Sequence, residues 1–227
     1  MEEEQKLLPL DTSTLSEEVI EILLLDGTAE PSLFEEIARK NTHRPEILRH
    51  LLNHPNTPDD IKQFVSQSLQ LPVPQTTEEH VSEEIKYERR TLSLLQRLQK
   101  LKVGERIQLA LKGGREIRSV LLRDANKEVV LTVIENPKIT DSEIEIIAKQ
   151  KTSSDELIRA ISKKKEWLKN YSIVYALVTN PKTPVAIALK HISNLKIKDL
   201  LMLERDKNIS GAVRETAKKL VAARKHG

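Results

Sequence analysis

A short phrase recurs along this chain, each time directly after a dense aliphatic run. It reads HPNTP at His54–Pro58, NPKIT at Asn136–Thr140 and NPKTP at Asn180–Pro184. Proline in the first turn of the following helix sets the corner, and Asn before Pro caps the preceding helix or bonds into the turn. A phrase that ends one helix and opens the next, repeated along a chain, predicts an α-helical repeat array. One helix pair buries too little to fold alone, so stacked neighbours must share a continuous core.

Composition agrees with that reading. The chain has 227 residues, 38% hydrophobic and 31% charged, which predicts helices and a real core, not wholesale disorder. Aromatic residues make up only 3%, which argues against a large β-sandwich or an aromatic-lined ligand pocket. The absence of cysteine excludes disulfides, thiolate nucleophiles and Cys-ligated zinc or iron–sulfur sites, and it permits a reducing compartment. The first ten residues, MEEEQKLLPL, are acidic where a signal peptide is basic. No apolar run approaches the roughly 18 residues of a membrane span, so a cytoplasmic protein without membrane insertion is expected.

The net charge of +3 hides an asymmetry. Residues 1–96 carry 9 Lys and Arg against 19 Asp and Glu, whereas residues 97–227 carry 28 against 15. An acidic front and a basic back suggest two functional surfaces, or halves that attract each other.

Start and stop signals divide the chain into an acidic N-terminal helical module (1–68), a Pro-containing linker (69–82), a bridging helix (83–112) and a basic C-terminal repeat array (113–227). In the module, Ser16 with Glu17 and Glu18 opens a helix that stops at Asp26–Gly27. Pro31, Pro45 and Thr57–Pro58 launch three more. The bridging helix carries an apolar stripe at Ile85, Leu92, Leu95, Leu98 and Leu101, with a pause near Gly104 and a stop at Gly113–Gly114. Eight short helices follow: 115–123, 127–135, 141–149, 154–162, 172–179, 184–191, 196–204 and 210–223. The β-branched run VVLTVI (129–134) reads as a buried helix, because the matching VYALV (174–178) contains good helix formers.

Three overlays extend the repeat, the first two without gaps. IARKNTHRPEILR (37–49) matches IAKQKTSSDELIR (147–159), LERDKNISGAVRE (203–215) shares the latter's pattern, and RDANKEVV (123–130) echoes RDKNISGAV (205–213). The unit is an aliphatic helix, an N-P-x-T-P turn, a helix, an R/K-D-x-N turn and the next helix. This unit resembles the leucine-rich-repeat-variant family, a relative of HEAT-like α-solenoids. The resemblance is best over 115–222, weaker over 33–66 and absent over 69–112. It implies an all-α fold, an irregular α-solenoid of short helix pairs with a small N-terminal helical module. The Cys-rich iron–sulfur segment of some family members does not carry over to a chain without cysteine.

Candidate sites are few. Lys163, Lys164, Lys165, Trp167 and Lys169 set a basic run beside the only Trp. That stretch is read in two ways: as a helix end whose Trp and Leu168 plug the interface between repeats, or as a grip on a phosphate backbone with base stacking. Arg115, Arg118, Arg123, Arg159, Arg205 and Arg214 are candidates for one side of the array, although Arg123–Asp124 and Arg205–Asp206 also read as repeated turn contacts. A HEAT-like DNA glycosylase groove would need several aromatics and a catalytic acid. His43, His50 and His54 fall on one helical face, but no acidic partner completes an H-E-x-x-H and His54 sits where the phrase elsewhere has Asn, so surface or turn histidines are expected. The nest that Gly113–Gly114 could form for an anion is read as a tight turn. Nucleophile-elbow, P-loop and dinucleotide fingerprints are missing. The expectation is a non-catalytic adaptor or scaffold without cofactor or metal, binding a protein partner; nucleic-acid or polyanion binding through the basic half is the first alternative and self-association the second.

Overall fold

The computed structural model describes residues 11–73 and 83–225, and the side chains of all of these except 83–91. Among the described residues the chain is all-helical, with fourteen α-helices and no strand. It divides into two compact units, Met1–Lys138 and Ile139–Gly227. The first holds α1 (Glu17–Leu25), α2 (Pro31–Lys40), α3 (Pro45–Asn53), α4 (Asp59–Leu69), α5 (Glu83–Lys100), α6 (Val103–Lys112), α7 (Arg115–Leu121) and α8 (Lys127–Val133). The second holds α9 (Asp141–Lys149), α10 (Asp155–Lys163), α11 (Tyr171–Thr179), α12 (Val185–His191), α13 (Ile197–Arg205) and α14 (Gly211–Lys225). None of these helices is long and apolar enough to cross a membrane.

The helix starts follow from capping chemistry. The Ser16, Asn126, Ser154 and Asn170 side chains accept hydrogen bonds from the first-turn amides of α1, α8, α10 and α11, and Thr140 with Glu143 forms a reciprocal capping box on α9. Pro31 and Pro45 occupy the first position of α2 and α3. The VVLTVI run is helical, as expected: Asn126 caps it and Val129 and Val133 are buried.

The pause expected near Gly104 is a break between two helices at Leu101–Lys102. Arg106 Nη1 donates to the Leu101 carbonyl at 2.6 Å and the Lys102 amide donates to Glu105 at 2.9 Å, so the freed backbone groups at the break are satisfied. The apolar stripe lies elsewhere than expected. Leu94, Leu98 and Leu101 are buried, whereas Leu92 is 60% exposed and Leu95 is exposed too. Ile85 lies among the side chains not described. Of the expected linker, Leu69 still belongs to α4, Gln70 takes a left-handed conformation (φ 55°), and residues 74–82 lie outside the described residues.

The first unit joins segments from both sides of that linker. Asp26, 1% exposed at the end of α1, accepts from the Ile117 amide of α7 at 3.2 Å. Thr28 Oγ1 accepts from the Arg115 amide at 2.7 Å, and Glu116 accepts in return from the Gly27 amide at 3.2 Å. The start of α7 is thus capped by residues almost a hundred positions earlier. A Cβ on Gly114 would stand 2.6 Å from Thr28 Oγ1 and 2.7 Å from Asp26 Oδ2, and one on Gly113 would stand 2.6 Å from the Leu109 carbonyl oxygen, which is why two glycines precede this helix. The anion at that helix start is Asp26 itself.

The recurring phrase builds one recurring latch. Asn136 Nδ2 at the end of α8 donates to the Ala110 and Gly113 carbonyls at the end of α6, at 2.8 and 3.1 Å. Asn180 Nδ2 at the end of α11 donates to the Ala148 and Gln150 carbonyls at the end of α9, at 2.6 and 3.1 Å. In both, Oδ1 accepts the amide two residues on, Lys138 or Lys182, at 2.9 Å. Each latch joins a helix to the one two before it, α6 with α8 and α9 with α11, and these pairs pack together. His54 keeps only the forward half, its Nδ1 accepting the Asn56 amide at 3.3 Å.

The aligned segments 37–49 and 147–159 also correspond in their polar contacts. The Ile37 carbonyl is taken by Asn41 Nδ2 at 2.9 Å and the matching Ile147 carbonyl by Ser153 Oγ at 2.7 Å. In the R/K-D-x-N turns, Asp124 and Asp206 each accept the amide two residues on, from Asn126 and Asn208, at 2.8 Å.

Candidate functional site

Charge is the first difference between the units. Residues 1–138 carry 19 Lys and Arg against 24 Asp and Glu, and residues 139–227 carry 18 against 10. Internal pairing is the second. In the first unit Arg106 meets Asp124 at 2.8 Å, Lys112 meets Glu36 at 3.2 Å, Lys138 meets Glu30 at 2.6 Å and Arg97 meets Glu21 at 2.5 Å. Burial alone would raise the Glu36 carboxyl, but Lys112 and then Lys40 outweigh it and hold it below the ordinary carboxylate range.

Among the described residues of the second unit, most cations have no such partner. On α10, Leu157, Ile158 and Ile161 face the core while Arg159 and Lys163, one turn apart, are exposed on the other side. Lys165 and Lys169 are exposed in the following segment, and Arg205 is exposed at the end of α13. Lys149 is paired with Glu145, one turn earlier on α9, at 2.5 Å. Uncompensated like charges one helical turn apart repel, so they persist most readily where a counter-charge can arrive from outside.

The aromatic residues of this unit are engaged internally. Trp167, in a short 3-10 turn (Trp167–Lys169), is only 7% exposed, and Lys164 Nζ lies 4.7 Å from its ring centroid. Lys164 is half-buried, unlike its neighbours Lys163 and Lys165. Lys196 Nζ lies 4.8 Å from the Tyr171 ring, and the Tyr171 hydroxyl donates to Asp199 while accepting the Lys196 amide at 3.0 Å. Burial first, and then the Asp199 carboxylate, push the Tyr171 hydroxyl above its ordinary pKa.

Four aliphatic side chains stay uncovered on successive helices of the same unit. Val185 and Leu189 lie one turn apart on α12, and Ile197 and Met202 lie on α13, Met202 at 57% exposure. Exposed lysines flank them in sequence at Lys182, Lys190 and Lys198. Sequence reasoning missed these positions, because aliphatic residues inside helices read as core.

The remaining candidates scatter. Arg123 is exposed but belongs to the first unit. Arg118 is withdrawn from the surface: it is 4% exposed and Nη1 holds the Gly113 carbonyl at 3.1 Å. His54 stacks at a tilt on Phe34, ring centroids 6.0 Å apart, while His50 turns instead to α1, where its Nε2 meets Glu17 at 2.8 Å and Glu21 at 3.1 Å. Compared with family models, with curated proteins and with solved structures, the chain matches none.

Proposed function

We propose that the protein is a non-catalytic, cytoplasmic adaptor of helical-repeat construction, related in plan to HEAT-like arrays, whose second unit binds an acidic surface on a protein partner. The observation that carries this reading is the presence, in one unit, of unpaired exposed cations together with uncovered aliphatic side chains on α12 and α13. A protein interface needs both: apolar side chains that lose water at the centre, and charges at the rim that steer encounter and set orientation. The latches at Asn136 and Asn180 support the repeat plan, since the same residue does the same work at successive corners.

Polyanion binding is the second reading, favoured by Arg159, Lys163, Lys165 and Lys169 standing free on one stretch. It is disfavoured by Trp167, which lies inside where a base-stacking platform would lie outside. A photo-crosslinking residue placed at Leu189 and at Met202 in cells, and separately at Lys163, tests the choice. Protein adducts at Leu189 and Met202, lost when Lys182, Lys190 and Lys198 are reversed to Glu, are expected. Nucleic-acid adducts at Lys163, with none of protein at the aliphatic positions, would replace the adaptor reading with the second.

A further inference from the structure

We infer that Glu17, Glu21 and His50 form a binding site for a divalent transition-metal ion of the zinc type. The three residues come from two helices, Glu17 and Glu21 one turn apart on α1 and His50 on α3, and one ligand atom from each lies within 4.8 Å of the others. The His50 Nε2 atom faces two carboxylate oxygens, Glu17 Oε1 at 2.8 Å and Glu21 Oε1 at 3.1 Å. One ring N–H aims well at one acceptor. A cation shared by all three groups engages Glu17 Oε1 and Glu21 Oε1 at once, while Arg97 keeps the other oxygen of Glu21.

The spacing suits that use. With metal–ligand distances of about 2.0–2.2 Å, tetrahedral donors stand roughly 3.3 Å apart, close to the nitrogen–oxygen separations here. Arg97 Nη1 holds the other oxygen of Glu21, Oε2, at 2.5 Å and so turns Oε1 toward the ring. Carboxylate ligands are characteristically oriented by such an outer partner. Both helices are fixed by buried side chains, Val19, Ile20 and Leu23 on α1 and Ile47, Leu48 and Leu51 on α3, so the ligands sit on rigid elements. The imidazole selects a transition metal over magnesium or calcium, which prefer oxygen-only shells. Each ligand is only half-buried, which leaves room for water to complete the coordination.

Zinc alone is the probe. The full chain, titrated with zinc against a chromogenic chelator, is expected to bind one equivalent with a dissociation constant on the order of 1 μM or tighter. His50→Ala and Glu17→Gln should each weaken that binding by about tenfold or more, and magnesium should not compete. On the unaltered chain, the ¹⁵N resonance of His50 Nε2 should move to a metal-bound position as zinc is added, which decides the matter even if a variant fails to fold. Variants that bind zinc as well as the parent, or zinc that moves the His43 or His54 ring and leaves His50 unchanged, would overturn the proposal.

Discussion

The two units are built from the same parts and treat their charges differently. The first, with an excess of acid, pairs its cations internally: Lys112 with Glu36, Arg106 with Asp124, Lys138 with Glu30. The second, with an excess of base, holds itself together mainly by uncharged or single-sided contacts, such as the Asn180 latch and Arg224 donating to the Leu195 and Ser193 carbonyls at 2.6 and 2.5 Å. The first unit answers many of its cations from within, and the second leaves Arg159, Lys163, Lys165, Lys169 and Arg205 exposed. The difference teaches that helix architecture and surface chemistry are set separately here, since the same turn phrase serves both units.

Asp26 is where the first unit should break most easily. Its buried carboxylate accepts from the Thr28 and Ile117 amides, at 2.9 and 3.2 Å, and bridges segments far apart in sequence. Asp26→Ala leaves the buried Ile117 amide unpaired and takes the partner from the Thr28 amide, at an expected cost of about 3 kcal/mol. Gly114→Ala should cost a similar amount by pushing a methyl group into the same carboxylate. Urea unfolding of the full chain measures both. A loss under 1 kcal/mol for Asp26→Ala would mean that the junction at α7 is held by packing alone.

The Asn latches come next, one in each unit. Asn136→Ala and Asn180→Ala each strand one carbonyl, Ala110 or Ala148, and one amide, Lys138 or Lys182, because Arg118 still holds the Gly113 carbonyl and the Ser153 amide the Gln150 carbonyl; about 2 kcal/mol is expected for either. The comparison is the point: near-equal losses support one repeated device, while a large loss at one and none at the other would show that the phrase is turn chemistry with a coincidental reach.

The forward half of this device was legible in the sequence, because Asn before Pro is a local signal. The backward reach was not. Which carbonyls need a donor depends on packing between α6 and α8 or α9 and α11. The Asp26–Gly27 stop and the Gly113–Gly114 turn were each readable as punctuation, but nothing local joins them, so a helix cap supplied from so far away in sequence stayed hidden. Trp167 and Leu168 at a helix end read naturally as a plug, and Trp167 is buried. Leu92 misled for the opposite reason: apolar residues are counted as core, though that rule runs one way only. The cluster at His50 was missed because its partners lie on α1, whereas the search for an acidic neighbour stayed within one helix.

A smaller effect, common to the two units, depends on pH. His54 in the first and His191 in the second are both held below the ordinary histidine pKa of 6.5, by burial first and then by Lys62 and Lys190 respectively. Well above pH 6.5 neither state takes the proton and the histidines leave stability unchanged. As the pH falls below that value the unfolded chain binds protons first, so stability drops until the folded-state pKa values are passed. His54→Gln and His191→Gln should each flatten the fall in stability between about pH 7 and 5. An unchanged slope in both variants would assign acid sensitivity to the carboxylates instead.

The finest comparison uses the threonine of the phrase itself. Thr57 and Thr183 occupy the same place in HPNTP and NPKTP, are 3% and 7% exposed, and each has a buried hydroxyl with no hydrogen-bond partner. A buried hydroxyl without a partner is a cost that the β-branched shape alone does not require. Valine keeps that shape, and before proline it favours the extended backbone the turn needs. Thr57→Val and Thr183→Val should therefore be neutral or stabilising by up to about 1 kcal/mol, and by similar amounts in the two units. A loss of 1 kcal/mol or more in either would show that the hydroxyl is used, through water or through a turn geometry peculiar to that unit. The two phrases would then be alike in sequence but not in the physics of their corners.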